Sequence, residues 1–211
     1  MPAALAPQPT PRHLPQRVLL LSGHRVDDPG RTPPRFTSAQ VPAATRAVAQ
    51  VLADIDAGPG DLALTQGASG ADILWAEAAL ARGVALQLLL PLPEPEFLAQ
   101  SVLPSADGSA WARRYLLLRE RCVALPEVII TTPTTANGTN VDFSPFRACN
   151  DALLARALSL VPATQLHLLC LWDGQLACGP GGTAELVQAV QAAGGQLHGI
   201  HPGEVDTARH P

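Results

Sequence analysis

Thr65-Gln66-Gly67-Ala68-Ser69-Gly70-Ala71-Asp72 joins a short apolar run, Leu62 to Thr65, to a helical pattern that starts at Ala71. Two glycines between a buried strand and a helix mark a strand-to-helix turn at the carboxyl edge of a parallel sheet. At such a helix start the first backbone N–H groups have no partner within the helix, and the macrodipole favours negative charge. The stretch supports two readings. In one, Gln66, Gly67, Ser69 and Gly70 form a cradle that a phosphate approaches closely, with Asp72 taking a ribose hydroxyl; in the other, Asp72 caps the helix of a tight turn.

Outward from this turn the same alternation recurs. Val18 to Leu21, Val84 to Leu90, Val128 to Thr131 and Leu166 to Leu171 are further apolar runs, which suit parallel strands covered on both faces. Helical patterns lie between them at Val41 to Ala57, Ala71 to Arg82, Ala110 to Leu125, Pro145 to Leu160 and Thr183 to Ala193, the last stopped by Gly194-Gly195. Leu197 to Ile200 reads as a sixth, edge strand, and Glu94 to Val102 as a short helix started by Pro93 and Pro95. The expected fold is α/β: a Rossmann-like, doubly wound, mostly parallel sheet of five to seven strands with helices on both faces. Residues 1–15, rich in Pro and Gln, read as a flexible tail, 16–201 as a single domain, and 202–211 as a C-terminal tail.

The composition narrows the chemistry. All 14 basic residues are Arg, so no mechanism can rest on a lysine Schiff base or a P-loop ammonium. Charged residues are 15% of the 211, and the net charge is −4, which argues against nucleic acid as a partner while leaving a local Arg cluster for one small anion. The four cysteines, Cys122, Cys149, Cys170 and Cys178, show no CxxC spacing and read as reduced thiols of a cytoplasmic protein. No segment resembles a signal peptide or a membrane span. His13, His167, His198, His201 and His210 show no metal-ligand spacing, so no metal is expected.

A second glycine turn, Gly179-Pro180-Gly181-Gly182-Thr183, again follows a buried strand and opens a helix. Gly181, Gly182 and Thr183 can form a concave nest of donors or a plain glycine-rich turn. Two such turns on a fold that gathers strand ends into one crevice favour a shared phosphate site. Arg147 and Asn150, three apart near the start of a helix opened by Ser144 and Pro145, share a face: Arg for a bidentate phosphate clamp, or paired with a carboxylate, and Asn for a base edge or ribose hydroxyl. The long loop from Gly23 to Gln40 exceeds the roughly 12–15 residues compact domains tolerate without a function. Within it Gly23, His24 and Arg25, beside the strand end, are the candidates, whereas Arg31 and Arg35 are expected to pair with the loop's own aspartates. Asp173, after Trp172, either holds a ribose diol or makes a turn with Gly174.

Taken in order, Ser22-Gly23-His24-Arg25, the Thr65 to Asp72 turn followed by Ala76 to Gly83, the helix carrying Arg147 and Asn150, and Gly181-Gly182-Thr183 resemble the SLOG superfamily of Rossmann-like proteins over about Arg17 to Ile200. That superfamily includes the LOG phosphoribohydrolases, the DNA processing protein A fold and nucleotide-sensing domains. The resemblance implies a nucleotide-derived ligand of the NAD, ADP-ribose or nucleoside phosphate type, with no required cofactor, and relatives that dimerise through helices flanking the sheet. In the LOG pattern PGGxGTxxE a glutamate takes part in cleaving the N-glycosidic bond of a nucleoside monophosphate. Here the alignment puts Leu186 at that position and Glu185 one residue before it, about 100° away around the helix. Binding or sensing is therefore the first expectation, and a LOG-type hydrolase using Glu185 or Asp72 the alternative.

Overall fold

The computed structural model describes residues 14–129, 144–175 and 181–205. Six strands, β1 (Val18–Gly23), β2 (Leu62–Thr65), β3 (Ala85–Leu90), β4 (Glu127–Val128), β5 (Leu166–Leu171) and β6 (Gln196–Ile200), form one sheet in the order β4-β3-β2-β1-β5-β6, with every pair parallel. Six helices connect them: α1 (Val41–Asp54), α2 (Ala71–Ala81), α3 (Glu94–Ser101), α4 (Gly108–Glu120), α5 (Pro145–Leu160) and α6 (Thr183–Ala192). The chain is an α/β protein of Rossmann-like, doubly wound architecture. The calls on residues 1–13, 130–143, 176–180 and 206–211, including Thr131, the loop Pro133 to Phe143, Cys178 and most of both tails, lie outside the described residues.

Right-handed crossovers decide where the helices go. From β1 to β4 the chain steps in one direction across the sheet, which puts α1 to α4 on one face; α5 then carries it back past β1, so α5 and α6 cover the other. The strands' alternation matches. Leu19 and Leu21 of β1 point into the core under α1 and α2 with Trp75, Leu86 and Leu88, and Val18 and Leu20 point to the second core with Leu153, Leu168 and Val190. Each fully buried large apolar side chain in these layers contributes about 1.5–3 kcal/mol. Helix α2 is buried nearly all round, because it lies against β1 and between α1 and α4, which is why its sequence shows no polar face.

At the amino edge of the sheet Arg17 clamps Asp61 through Nε and Nη2, at 3.0 and 2.7 Å, and donates Nη1 to the Ile55 carbonyl at 2.6 Å. Asp61 is buried and also accepts from the Gly58 amide. This charged staple fixes the α1–β2 connection at the end of the sheet opposite the strands' carboxyl edge. Among the described residues no helix is long and apolar enough to cross a membrane.

Candidate functional site

Strands β1 and β5 are neighbours, yet the connections leaving them run to opposite faces, so their carboxyl ends open a crevice at the switch point of the sheet. A cleft of about 400 Å³ lies there. Ser22, Gly23, His24 and Arg25 from the end of β1, Gln66, Ala68 and Asp72 from the β2–α2 turn, and Phe146 and Asn150 from the start of α5 line it. Trp172 and Gln175 after β5, Gly181, Gly182 and Thr183 at the start of α6, Gln100 and Ser101 at the end of α3, and Arg35 complete the wall. The two glycine turns, far apart in sequence, thus border one cavity.

Their glycines, however, meet the protein's own chain. A Cβ on Gly70 would lie 2.6 Å from the Val26 amide nitrogen and 2.7 Å from the His24 carbonyl oxygen; one on Gly181 would lie 2.5 Å from the Arg147 nitrogen. Gly67 faces Leu88 and Tyr115, and Gly23 faces Leu171 and Ala71. These glycines let loops cross at close range, with φ near +87° at Gly67, Gly70 and Gly181. The amides are partly spoken for as well. Asp72 Oδ2 accepts from the Gly67 and Ala68 amides at 3.2 and 3.1 Å, Ser69 donates through both its amide and its hydroxyl to the Ser101 carbonyl, and Glu185 Oε2 accepts from the Gly181 amide at 3.0 Å. Asp72 therefore ties down the turn that precedes its helix. The Gly182, Thr183 and Ala184 amides of the first α6 turn make no hydrogen bond to the described residues, and the Thr183 hydroxyl lies 3.4 Å from that of Ser22.

Asn150 links the two turns. It accepts from Gln66 Nε2 at 2.8 Å and donates to the Gly181 carbonyl at 2.9 Å. Its place in α5 follows from Ser144, whose Oγ accepts from the Arg147 amide and caps the helix, and from Pro145 in the first turn. Arg147 lies outside the cleft wall and grips Glu185 with Nε and Nη2 at 3.0 and 2.7 Å. The clamp expected for a phosphate is thus closed on a carboxylate of the chain, the second of the two readings for this residue. Arg147 and the Gly181 amide together hold the Glu185 carboxyl below its usual range.

In the first loop Arg25 and Arg35 both line the cleft. Arg25 pairs with Asp28 at 3.2 Å and donates to the Gln100 carbonyl, and Arg31 pairs with Asp27. Arg35, expected to be self-paired, forms no ion pair among the described residues, lines the cleft, and has a buried Nε without a hydrogen-bond partner. No pattern in the sequence distinguishes it from Arg31; the difference arises because the Asp27 Oδ2 turns to the Arg35 and Phe36 amides, closing the loop on itself. Val26 and Phe36, both fully buried, anchor that loop in the core.

His24 and Asp173, named separately from the sequence, form a pair, with Nε2 to Oδ1 at 3.1 Å. Burial holds the His24 pKa below its ordinary value, opposed by Asp173 and helped by Arg35, and Nε2 also accepts from the Asp173 amide at 3.3 Å. Burial works upward on Asp173, but the Gln175 amide and His24 outweigh it and lower its pKa. That amide closes a turn through Gly174 (φ +79°), so the turn reading of Asp173 holds and its carboxylate sits outside the wall of the main cleft.

Among the described residues Asp72 is the one acid of the cleft wall. Burial pushes its pKa up to about 7, against the Ala68 amide, the Thr65 hydroxyl and the Gly67 amide, which pull it down. Cys149 and Cys170 are buried thiols pushed up to about 12, a range in which they are inert. Among the described residues no three His, Cys, Asp or Glu side chains group as a metal site. No protein-family model matches the chain, and no curated protein matches it in sequence.

Proposed function

We propose that the protein binds a nucleotide or nucleotide-derived ligand in the cleft at the β1/β5 switch point, as a SLOG-like binding or sensing domain. The observation that carries this reading is the convergence of six chain segments on one cavity whose wall includes Arg35, a cation with no ion-pair partner among the described residues. Phe146 and Trp172 offer flat apolar surface for a base. The Ser22 and Thr183 hydroxyls and the first α6 amides offer donors for a sugar or phosphate. A thermal-shift screen with NAD, ADP-ribose, AMP and cyclic nucleotides tests the proposal; no shift for any of them at millimolar concentration refutes it.

A LOG-type N-glycosidase is the second reading, and Asp72 is the observation that favours it. A carboxyl group with a pKa near 7 in a ligand cleft is suited to give or take a proton at neutral pH. Glu185 is held by Arg147 outside the cleft wall, so this reading rests on Asp72. Release of adenine from AMP, abolished by Asp72→Asn in a folded variant, would establish the enzyme over the pure binder.

A further inference from the structure

The backbone of His24 is held from both sides: its amide donates to the Leu171 carbonyl at 2.8 Å, and its carbonyl accepts from the Ala71 amide at 3.0 Å. This places the ring in the cleft wall between the end of β5 and the start of α2, with only 8% of the residue exposed. Its two nitrogens meet different surroundings. Nε2 lies 3.1 Å from Asp173 Oδ1 and 3.3 Å from the Asp173 amide, an acceptor and a donor on one residue. Nδ1 makes no hydrogen bond to the described residues and is not one of their buried, unpartnered atoms, so it stays open to solvent.

The charged groups that act on the ring are Asp173 after β5, and Arg35 and Asp27 of its own loop; Arg25 and Asp72 share the cleft wall with it. Burial and Arg35 work against a charge on the imidazole, while Asp173 and Asp27 favour one. A neutral imidazole carries a single proton. If Nδ1 holds it, the Nε2 lone pair faces the Asp173 carboxylate. If Nε2 holds it, Nδ1 is an acceptor and repels an anion. Only the imidazolium presents an N–H to Asp173 and another to an anion in the cleft.

We propose that the cleft takes up its anionic ligand together with a proton: a ligand oxygen accepts from Nδ1–H of His24, and Asp173, a positioning residue, accepts from Nε2–H. This rests on the binding reading above and adds the charge state in which the site recognises its guest. An anion within about 4–6 Å favours the charged ring, so the His24 pKa is higher in the complex than in the free protein. The added affinity is fully present below the free-state pKa and is lost as pH rises through the bound-state pKa. Asp72, with its own pKa raised to about 7, adds a second pH dependence. The part due to His24 is therefore the difference between wild type and His24→Gln, which cannot titrate.

The experiment is calorimetric titration of the full chain with AMP and with ADP-ribose, from about pH 5 to pH 8 and in buffers of different ionisation enthalpy, on wild type, His24→Gln and Asp173→Asn. Wild type should take up more protons on binding than His24→Gln, and its Kd should rise about tenfold more than the variant's across that range. Asp173→Asn should lose the same pH-dependent part and keep its affinity near pH 8; weakening that is equal at every pH overturns the positioning role of Asp173. Imidazole nitrogen NMR shifts give a readout without any variant: the His24 ring of wild type should titrate at higher pH in the complex than in the free protein. A ring that titrates at the same pH in both, or equal pH dependence in wild type and His24→Gln, overturns the proton coupling and leaves ligand binding standing. Absence of binding by both compounds at every pH overturns both.

Discussion

Gly70→Ala is the substitution whose effect is most fully determined by the structure. Gly70 has φ +87° and ψ −123°, a conformation that L side chains rarely adopt, which costs an alanine about 1–3 kcal/mol. The added Cβ would also sit 2.6 Å from the Val26 nitrogen, 2.7 Å from the His24 oxygen and 3.0 Å from the Arg25 carbonyl carbon. These are backbone atoms, which cannot rotate aside, and overpacking of this kind costs a further ~1–3 kcal/mol. A total of about 2–6 kcal/mol corresponds to a fall in Tm of roughly 4–24 °C for a chain of this length. Gly174→Ala is the control: it also has positive φ, at +79°, but no atom lies within 4 Å of its Cβ position, so it should lose only about 1–2 kcal/mol. Thermal and urea unfolding of both variants separates the close-approach cost from the conformational one. If the two variants lose the same stability, the argument that Gly70 is required by the crossing of the His24–Val26 segment fails.

Other outcomes follow from single contacts. Asp61→Ala strands the Arg17 guanidinium and the Gly58 amide at a buried carboxylate site and should cost about 2–4 kcal/mol in urea denaturation. Asn150→Ala leaves the Gln66 amide group and the Gly181 carbonyl unpartnered, costing about 2–3 kcal/mol and shrinking any ligand-induced rise in Tm. Because the folded-state pKa of Asp72 is raised from 3.8 to about 7, the native state holds its proton where the unfolded chain has lost it. Wild-type stability should therefore decline from about pH 4 to pH 7 on this account. Relative to wild type, Asp72→Asn should gain about 2–3 kcal/mol between pH 5 and pH 8; a pH-independent difference would contradict a raised pKa.

The architecture was legible because hydrophobic runs and turn residues agree with one another. Leu62–Thr65, Leu166–Leu171 and Pro145–Leu160 are bounded as expected, the first two as mostly apolar runs and the last by its Ser-Pro start. Helix α1 ends at Asp54 rather than Ala57, since the Ile55 and Asp56 carbonyls turn to accept from the Arg17 guanidinium, which is distant in sequence. The location of the cleft followed from the strand order, and its glycine turns from their position between strand and helix. What the turns do with their amides was not legible, because it depends on where Asp72 and Glu185 fold back. That Arg35 joins Arg25 in the cleft wall was hidden for the same reason: the arginines of one loop look alike until the geometry of Asp27 and Asp28 assigns each carboxylate. The pairing of His24 with Asp173 joins residues from two strands that become neighbours only in the sheet.

The bond series from Gln66 through Asn150 to the Gly181 carbonyl spans the seam between the two windings of the sheet. It acts as a tie rod: the α2 side and the α6 side of the crevice cannot spread independently while both bonds hold. A guest that draws in either wall pulls the opposite one through a single amide side chain, so occupancy on one flank is transmitted mechanically to the helix that starts on the other.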